Sequence, residues 1–243
     1  MISLNEIIKT WKNKQEKGIR VIAFGSSNTE LHWHSLGHFN WFSWLSSSMR
    51  EWIGRHVITI NQGASGETAR DLINRLERDV LDFNPNLVII TIGGNDTWKG
   101  LSITEYKQNL NLIIDKLRAI KTIPVLQTYY CLLYNSMPDV FKRFPELVEV
   151  NRWLSKEKSV SLIDQYRYFS PFYEENPEAY KKIMLDGLHV NQIGNALMGI
   201  IACRTFGLPD PIFNKDKEQI KTYLQLLSKY CNIPSKISRN QWR

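Results

Sequence analysis

Cysteine is scarce in this chain. Cys131, Cys203 and Cys231 are the only three in 243 residues, far apart and without CxxC spacing. They supply neither a disulfide framework nor a zinc knuckle. No hydrophobic run approaches the length of a membrane span. The start, Met1 to Lys17, patterns as an amphipathic helix carrying Glu6, Lys9, Lys12 and Lys14. It lacks the continuous apolar run of a signal peptide, so the chain as it stands is expected to be cytoplasmic. Internal repeats and low-complexity tracts are missing too, which excludes solenoids and disordered arrays.

What is present is the composition of a soluble globular protein: 43% hydrophobic, 23% charged and 12% aromatic residues. The length fits one α/β domain. The formal charge of +7 invites a nucleic-acid reading, but the Lys and Arg are spread along the chain rather than striped, so no nucleic-acid partner is expected. The nearest basic cluster is the tail from Ser235 to Arg243, which reads as a solvated end.

Four short runs rich in β-branched residues read as strands: Arg20–Phe24, Val57–Asn61, Leu87–Ile92 and Ile123–Thr128; a fifth, Val160–Asp164, is weaker. Segments with helical spacing lie between them at Asn40–Ile53, Glu67–Leu81, Ile103–Ile120 and Pro145–Lys156. Strands alternating with helices predict βαβ units and a parallel sheet covered on both faces, a three-layer α/β/α sandwich of flavodoxin size. The predicted domain spans 1–243, with an N-terminal helix within 1–18 and a helical extension over 208–243. In that extension Ile220, Tyr223, Leu224, Leu227 and Tyr230 line one helix face, expected to pack on the body or on a second copy of the chain.

In such sheets ligands sit at the carboxyl ends of the strands. The first strand runs into Gly25-Ser26-Ser27-Asn28-Thr29, and the second ends in Asn61-Gln62-Gly63-Ala64-Ser65-Gly66-Glu67-Thr68. The third is followed by Gly93-Gly94-Asn95-Asp96, and Asp186-Gly187-Leu188-His189 precedes a last helix with Ile193, Leu197 and Ile200. A serine hydroxyl needs an adjacent base to attack at neutral pH. His189 can be that base, and Asp186, three residues earlier, can fix its tautomer. An acyl-transfer transition state also builds negative charge on one oxygen. The backbone N–H groups of Ser27 and Gly63 and the side-chain amide of Asn95 are the candidate donors to it.

The order Ser, Gly, Asn, His in these four contexts resembles the SGNH hydrolases, also called GDSL esterases or lipases, over about Arg20 to Phe206. The resemblance implies a five-stranded flavodoxin-like sheet of order 2-1-3-4-5, no cofactor, and hydrolysis of carboxylic esters. It departs from the family in one place. Where the family has Gly-Asp-Ser, this chain has Gly25-Ser26-Ser27, which leaves two serines side by side. Motif position favours Ser27 as the nucleophile.

Of the remaining histidines, His32, His34 and His38 crowd the loop after Ser27, and His56 precedes a strand. Three imidazoles suit a zinc ion, but no fourth ligand stands nearby, so no metal is expected and the loop is read as a pocket rim. Trp33, His34 and Trp98 are the candidates for the substrate pocket. Trp41 and Trp44 read as core, and the aromatic run Tyr166–Tyr173 as a pocket wall. The substrate is expected to be a small acyl ester, an acetylated carbohydrate among the options. Acyl transfer, or lysophospholipase- or thioesterase-like chemistry with the same triad, is the alternative. A non-catalytic flavodoxin-like binding module would leave Asp186, His189 and Asn95 unexplained.

Overall fold

The structure is a computed structural model that describes residues 3–13, 18–31, 34–213 and 215–242. In chain order its regular elements are α1 (Leu4–Lys12), β1 (Ile19–Gly25), α2 (Trp41–Trp52), β2 (Val57–Gly63), α3 (Ala69–Asp79), β3 (Leu87–Thr91), α4 (Gly94–Trp98), α5 (Ile103–Ala119), β4 (Ile123–Gln127), α6 (Phe144–Glu157), β5 (Ser161–Ile163), α7 (Gln165–Glu175), α8 (Pro177–Lys181), α9 (Gln192–Thr205) and α10 (Lys217–Tyr230). The five strands form one sheet in the order β2-β1-β3-β4-β5, and every neighbouring pair is parallel.

The strand periodicity of two explains the three layers. Ile22, Phe24, Val88, Ile90 and Leu126 point to one face, where Leu72 and Leu76 of α3, Leu110, Ile113 and Leu117 of α5, and Leu147 and Leu154 of α6 cover them. Val21, Ala23, Leu87, Ile89 and Val125 point to the other, against Ile8 of α1, Trp41, Leu45 and Met49 of α2, and Leu197 and Ile201 of α9. Because both faces are dry, the central strands read as near-continuous apolar runs. β2 lies at the sheet edge and is only half-buried after Val57.

Helix starts follow the capping rules. Thr68 and Asp71 form a capping box at α3, and Ser102 caps α5. Asn40 caps α2, its side chain accepting from the Ser43 N–H, while Asn191 accepts from two N–H groups at the start of α9. Each such cap is worth about 1 kcal/mol.

The strand and helix readings hold to within a few residues, and three helices were not anticipated. α4 follows directly on β3 and has a single turn and a half of its own. α7 contains Pro171, and it takes up the whole aromatic run Tyr166–Tyr173 expected to wall the pocket. Phe169 and Phe172 are instead fully buried in the core. α8 is a five-residue turn begun by Pro177. The apolar face of α10 is spent on the body: Ile220, Tyr223 and Leu227 are buried, and Tyr230 stacks on Phe172. That face packs on the body of the domain. No helix among the described residues is long and apolar enough to cross a membrane.

Candidate active site

Strand order reverses beside β1, whose neighbours are β2 and β3. In such sheets the carboxyl ends of the strands beside that point are where ligands bind. Ser27 sits in the tight turn that leaves β1, where Thr29 and Glu30 both donate their N–H groups to Ser26 O. Gly25 is required just before it, since a side chain there would collide with Thr91 O and Thr29. The turn is propped from α2 by the Trp41 indole, which donates to Asn28 O at 3.0 Å. Trp41 is thus core, as expected, and also a buttress of the turn.

The Asp186–His189 turn comes from 162 residues further on, yet Ser27 Oγ and His189 Nε2 are 2.9 Å apart. On the far side of the ring, His189 Nδ1 lies 2.8 Å from Asp186 Oδ2. The second carboxylate oxygen of Asp186 accepts from the N–H groups of Leu188 and His189, both at 2.7 Å. Burial opposes ionisation of this carboxyl, but the hydrogen bonds from His189 outweigh it and hold the group down at about 2. A carboxylate so held keeps the proton on Nδ1 and leaves Nε2 to accept from the serine.

Tyr130 ties the two turns together. Its buried hydroxyl lies 2.6 Å from both Asn28 Oδ1 and Leu188 O and accepts from the Val190 N–H at 3.0 Å. One phenolic proton cannot serve both acceptors, so the hydroxyl chooses between the serine turn and the histidine turn. Neighbouring Tyr129 holds Ser26: their hydroxyls are 2.7 Å apart and both side chains are buried. Ser26 is therefore spent within the wall of the site, whereas Ser27 faces the imidazole.

The expected oxyanion donors divide. Among the described residues no partner takes the Ser27 N–H. The Asn95 amide donates one hydrogen to Glu67 O at 2.9 Å, which fixes the side chain and leaves its second hydrogen unassigned. Gly63 does not fit the expectation. Its N–H donates to Asn61 Oδ1 at 2.9 Å, and its Cα packs so closely that a side chain would run into the backbone of Thr29 and Glu30. Gly63 is a close-packing glycine. The loop residue beside Asn95 is instead Gly66, next to Glu67, with φ +79° and open space where a side chain would stand. Its N–H has no partner among the described residues. The Gly-x-x-Gly spacing of this loop offered two glycines, and only the turn geometry tells them apart.

Asp96 follows Asn95 and is buried, with one oxygen accepting from the Ala69 N–H at 2.8 Å and the other unpartnered. Burial pushes its carboxyl up to about 7, against the opposing pull of the Ala69 N–H. Its neighbourhood links α4, which carries Asn95, to the start of α3. Sequence reasoning passed over Asp96, Tyr129 and Tyr130, because nothing local distinguishes a tyrosine that braces a turn from one that fills a core.

The pocket candidates also separate. Trp33 lies outside the described residues, as does His32. His34 is half-buried and stacks on the His189 ring. Trp98 stands one turn after Asn95 on α4, 55% exposed, with its ring stacked on Phe141 at 5.7 Å between centroids. His56 is structural, with Nε2 3.0 Å from Trp11 O.

An acetylxylan esterase of Geobacillus stearothermophilus is 25% identical over 162 residues, covering 62% of this chain and 73% of its own. An uncharacterised lipoprotein, YqeF, of Bacillus subtilis (strain 168) is 25% identical over 174 residues, covering 61% and 71%. Among solved structures, the Geobacillus stearothermophilus acetylxylan esterase Axe2 superposes with a TM-score of 0.66 at 20% identity, covering 80% of this chain and 96% of that one, a likeness of fold. The acetyl xylan esterase AlAXEase gives 0.62 at 22% identity, covering 73% and 94%. Residues 23–197, which run from β1 into α9 and take in all four motif segments, match the GDSL-like lipase/acylhydrolase family. This chain belongs to that family and is a carboxylic ester hydrolase.

Proposed function

We propose that the chain is a serine esterase that removes a small acyl group, acetyl in the first instance, from a carbohydrate ester. The observation that carries this reading is the unbroken hydrogen-bonded line from Ser27 Oγ through the His189 ring to Asp186, at 2.9 Å and 2.8 Å.

In this reading Ser27 Oγ attacks the ester carbonyl carbon while His189 Nε2 takes its proton. Asp186 holds the Nδ1–H and balances the imidazolium that forms. The carbonyl oxygen becomes an oxyanion facing the Ser27 N–H, the Asn95 amide and, from the β2 loop, the Gly66 N–H in place of Gly63. Collapse expels the sugar oxygen, which takes the proton from His189. The acetyl-serine is then cleaved by a water that His189 deprotonates.

The carbohydrate assignment rests on two things. The relatives named as acetylxylan esterases point to it, and so does the Trp98 ring, whose exposed face lies one turn from Asn95 and suits the apolar face of a pyranose. Transfer of the acyl group to an alcohol uses the same first half-reaction and is separated by product analysis with an added acceptor.

The test is a hydrolysis panel of esters from acetyl to palmitoyl together with acetylated xylooligosaccharides, run beside Ser27→Ala. Acetyl esters should be cleaved best, acetylated sugars among them, and Ser27→Ala should cleave none. A preference for long acyl chains would overturn the substrate assignment.

A further inference from the structure

A second imidazole lies flat against the first. The rings of His34 and His189 have centroids 3.7 Å apart and planes within 13° of parallel. His189 is already held at two points on its edge, by Ser27 at Nε2 and by Asp186 at Nδ1. Two hydrogen bonds on opposite sides of a ring define an axis, and the motion they leave open is tilting about it. A flat partner against one face blocks that motion.

The loop that carries His34 is anchored for the purpose. The Asn40 amide reaches back to Thr29 O at 2.6 Å and Glu30 O at 3.3 Å, and the buried Ser35 hydroxyl donates to Leu31 O. His34 is also arranged to stay uncharged. Its Nδ1 is buried without a partner, so the protonated ring would carry an N–H there with no acceptor. Burial and then the facing His189 lower its pKa, outweighing the opposite pull of Asp186 and Glu30. A charged His34 would face the imidazolium that the reaction creates; a neutral ring offers that cation its π face.

We propose that His34 is a positioning residue for the hydrolytic step, a plate that keeps the His189 ring aligned between Ser27 and Asp186 and keeps water off that face. This rests on the proposed roles of Ser27 and His189. It gives His34 a task other than touching substrate.

The test compares three variants of the full chain on an acetyl ester, with KM and kcat resolved and each variant's fold checked by its thermal melt. His34→Ala removes the plate, and His34→Gln keeps a polar side chain of similar length but no ring. His34→Phe keeps a flat ring and cannot titrate. The Ala and Gln variants should lose about tenfold in kcat, with KM within about twofold of wild type. The Phe variant should recover kcat to within about threefold. The rate at which a fluorophosphonate labels Ser27 should follow the same ranking. Normal kcat in the Ala and Gln variants, a rise in KM alone, or a Phe variant as slow as Ala would each overturn the proposal. Failure of the wild type to label at Ser27 would instead overturn the triad reading beneath it.

Discussion

The hydroxyls of Ser26 and Tyr129 lie 2.7 Å apart inside the protein, and this contact separates two serines that the sequence leaves side by side. Ser26 occupies the position of the family's motif aspartate, and its oxygen is turned into the protein.

The two serines should therefore fail differently. Ser27→Ala should abolish ester hydrolysis with an unchanged melting curve. Ser26→Ala should keep substantial activity but lose stability, by about 1–3 kcal/mol, because the buried Tyr129 hydroxyl loses its partner. Steady-state rates and thermal melts of the two variants decide it, and equal loss of activity in both would contradict the assignment.

Asn95 should behave as a transition-state donor. Asn95→Ala should lower kcat by roughly a hundredfold or more with a smaller change in KM. Asn95→Asp is the sharper substitution. It places a negative charge beside a forming one and also gives up the donor to Glu67 O. A well-folded Asn95→Asp enzyme with near-normal kcat would remove Asn95 from the mechanism.

The two loop glycines should separate by kind of damage. Gly63→Ala has no room for its methyl against Thr29 and Glu30, so it should cost stability first, measured as a lower unfolding midpoint. Gly66→Ala meets open space and strains only a positive φ, costing about 1 kcal/mol. Its effect should appear in kcat through displacement of the N–H beside Asn95. A Gly63→Ala protein as stable as wild type would restore the sequence expectation that Gly63 is the donor.

Asp96 gives a pH signature in stability. An acid whose folded-state pKa is raised binds more protons folded than unfolded, so stability falls as pH climbs from the unfolded value near 4 to about 7. Asp96→Asn removes that loss. The variant should be more stable than wild type in urea at about pH 8, and the gap should close at about pH 4. A gap of the same size at both values would show that the Asp96 carboxyl is not raised in the folded protein.

The sheet and the four site segments were legible because each rests on a local rule. Runs of Val, Ile and Leu mark buried parallel strands, apolar residues at helical spacing mark the segments between them, and the chemistry of acyl transfer selects Ser27, Asn95 and His189 from the strand ends. Pro171 concealed α7, since proline argues against a helix interior even where packing overrides it. The choice between Gly63 and Gly66 turned on the direction of one N–H, which spacing does not encode. The tyrosines that brace the turns and the His34 stack are contacts over long sequence separations, visible only once the chain is folded.

The most direct measurement is active-site labelling of the wild-type protein with a fluorophosphonate, followed by peptide mass spectrometry and an ester-hydrolysis assay on the same sample. The account predicts one adduct, on Ser27, formed in step with the loss of hydrolysis. An adduct on Ser26, or full labelling of Ser27 with hydrolysis intact, would contradict it.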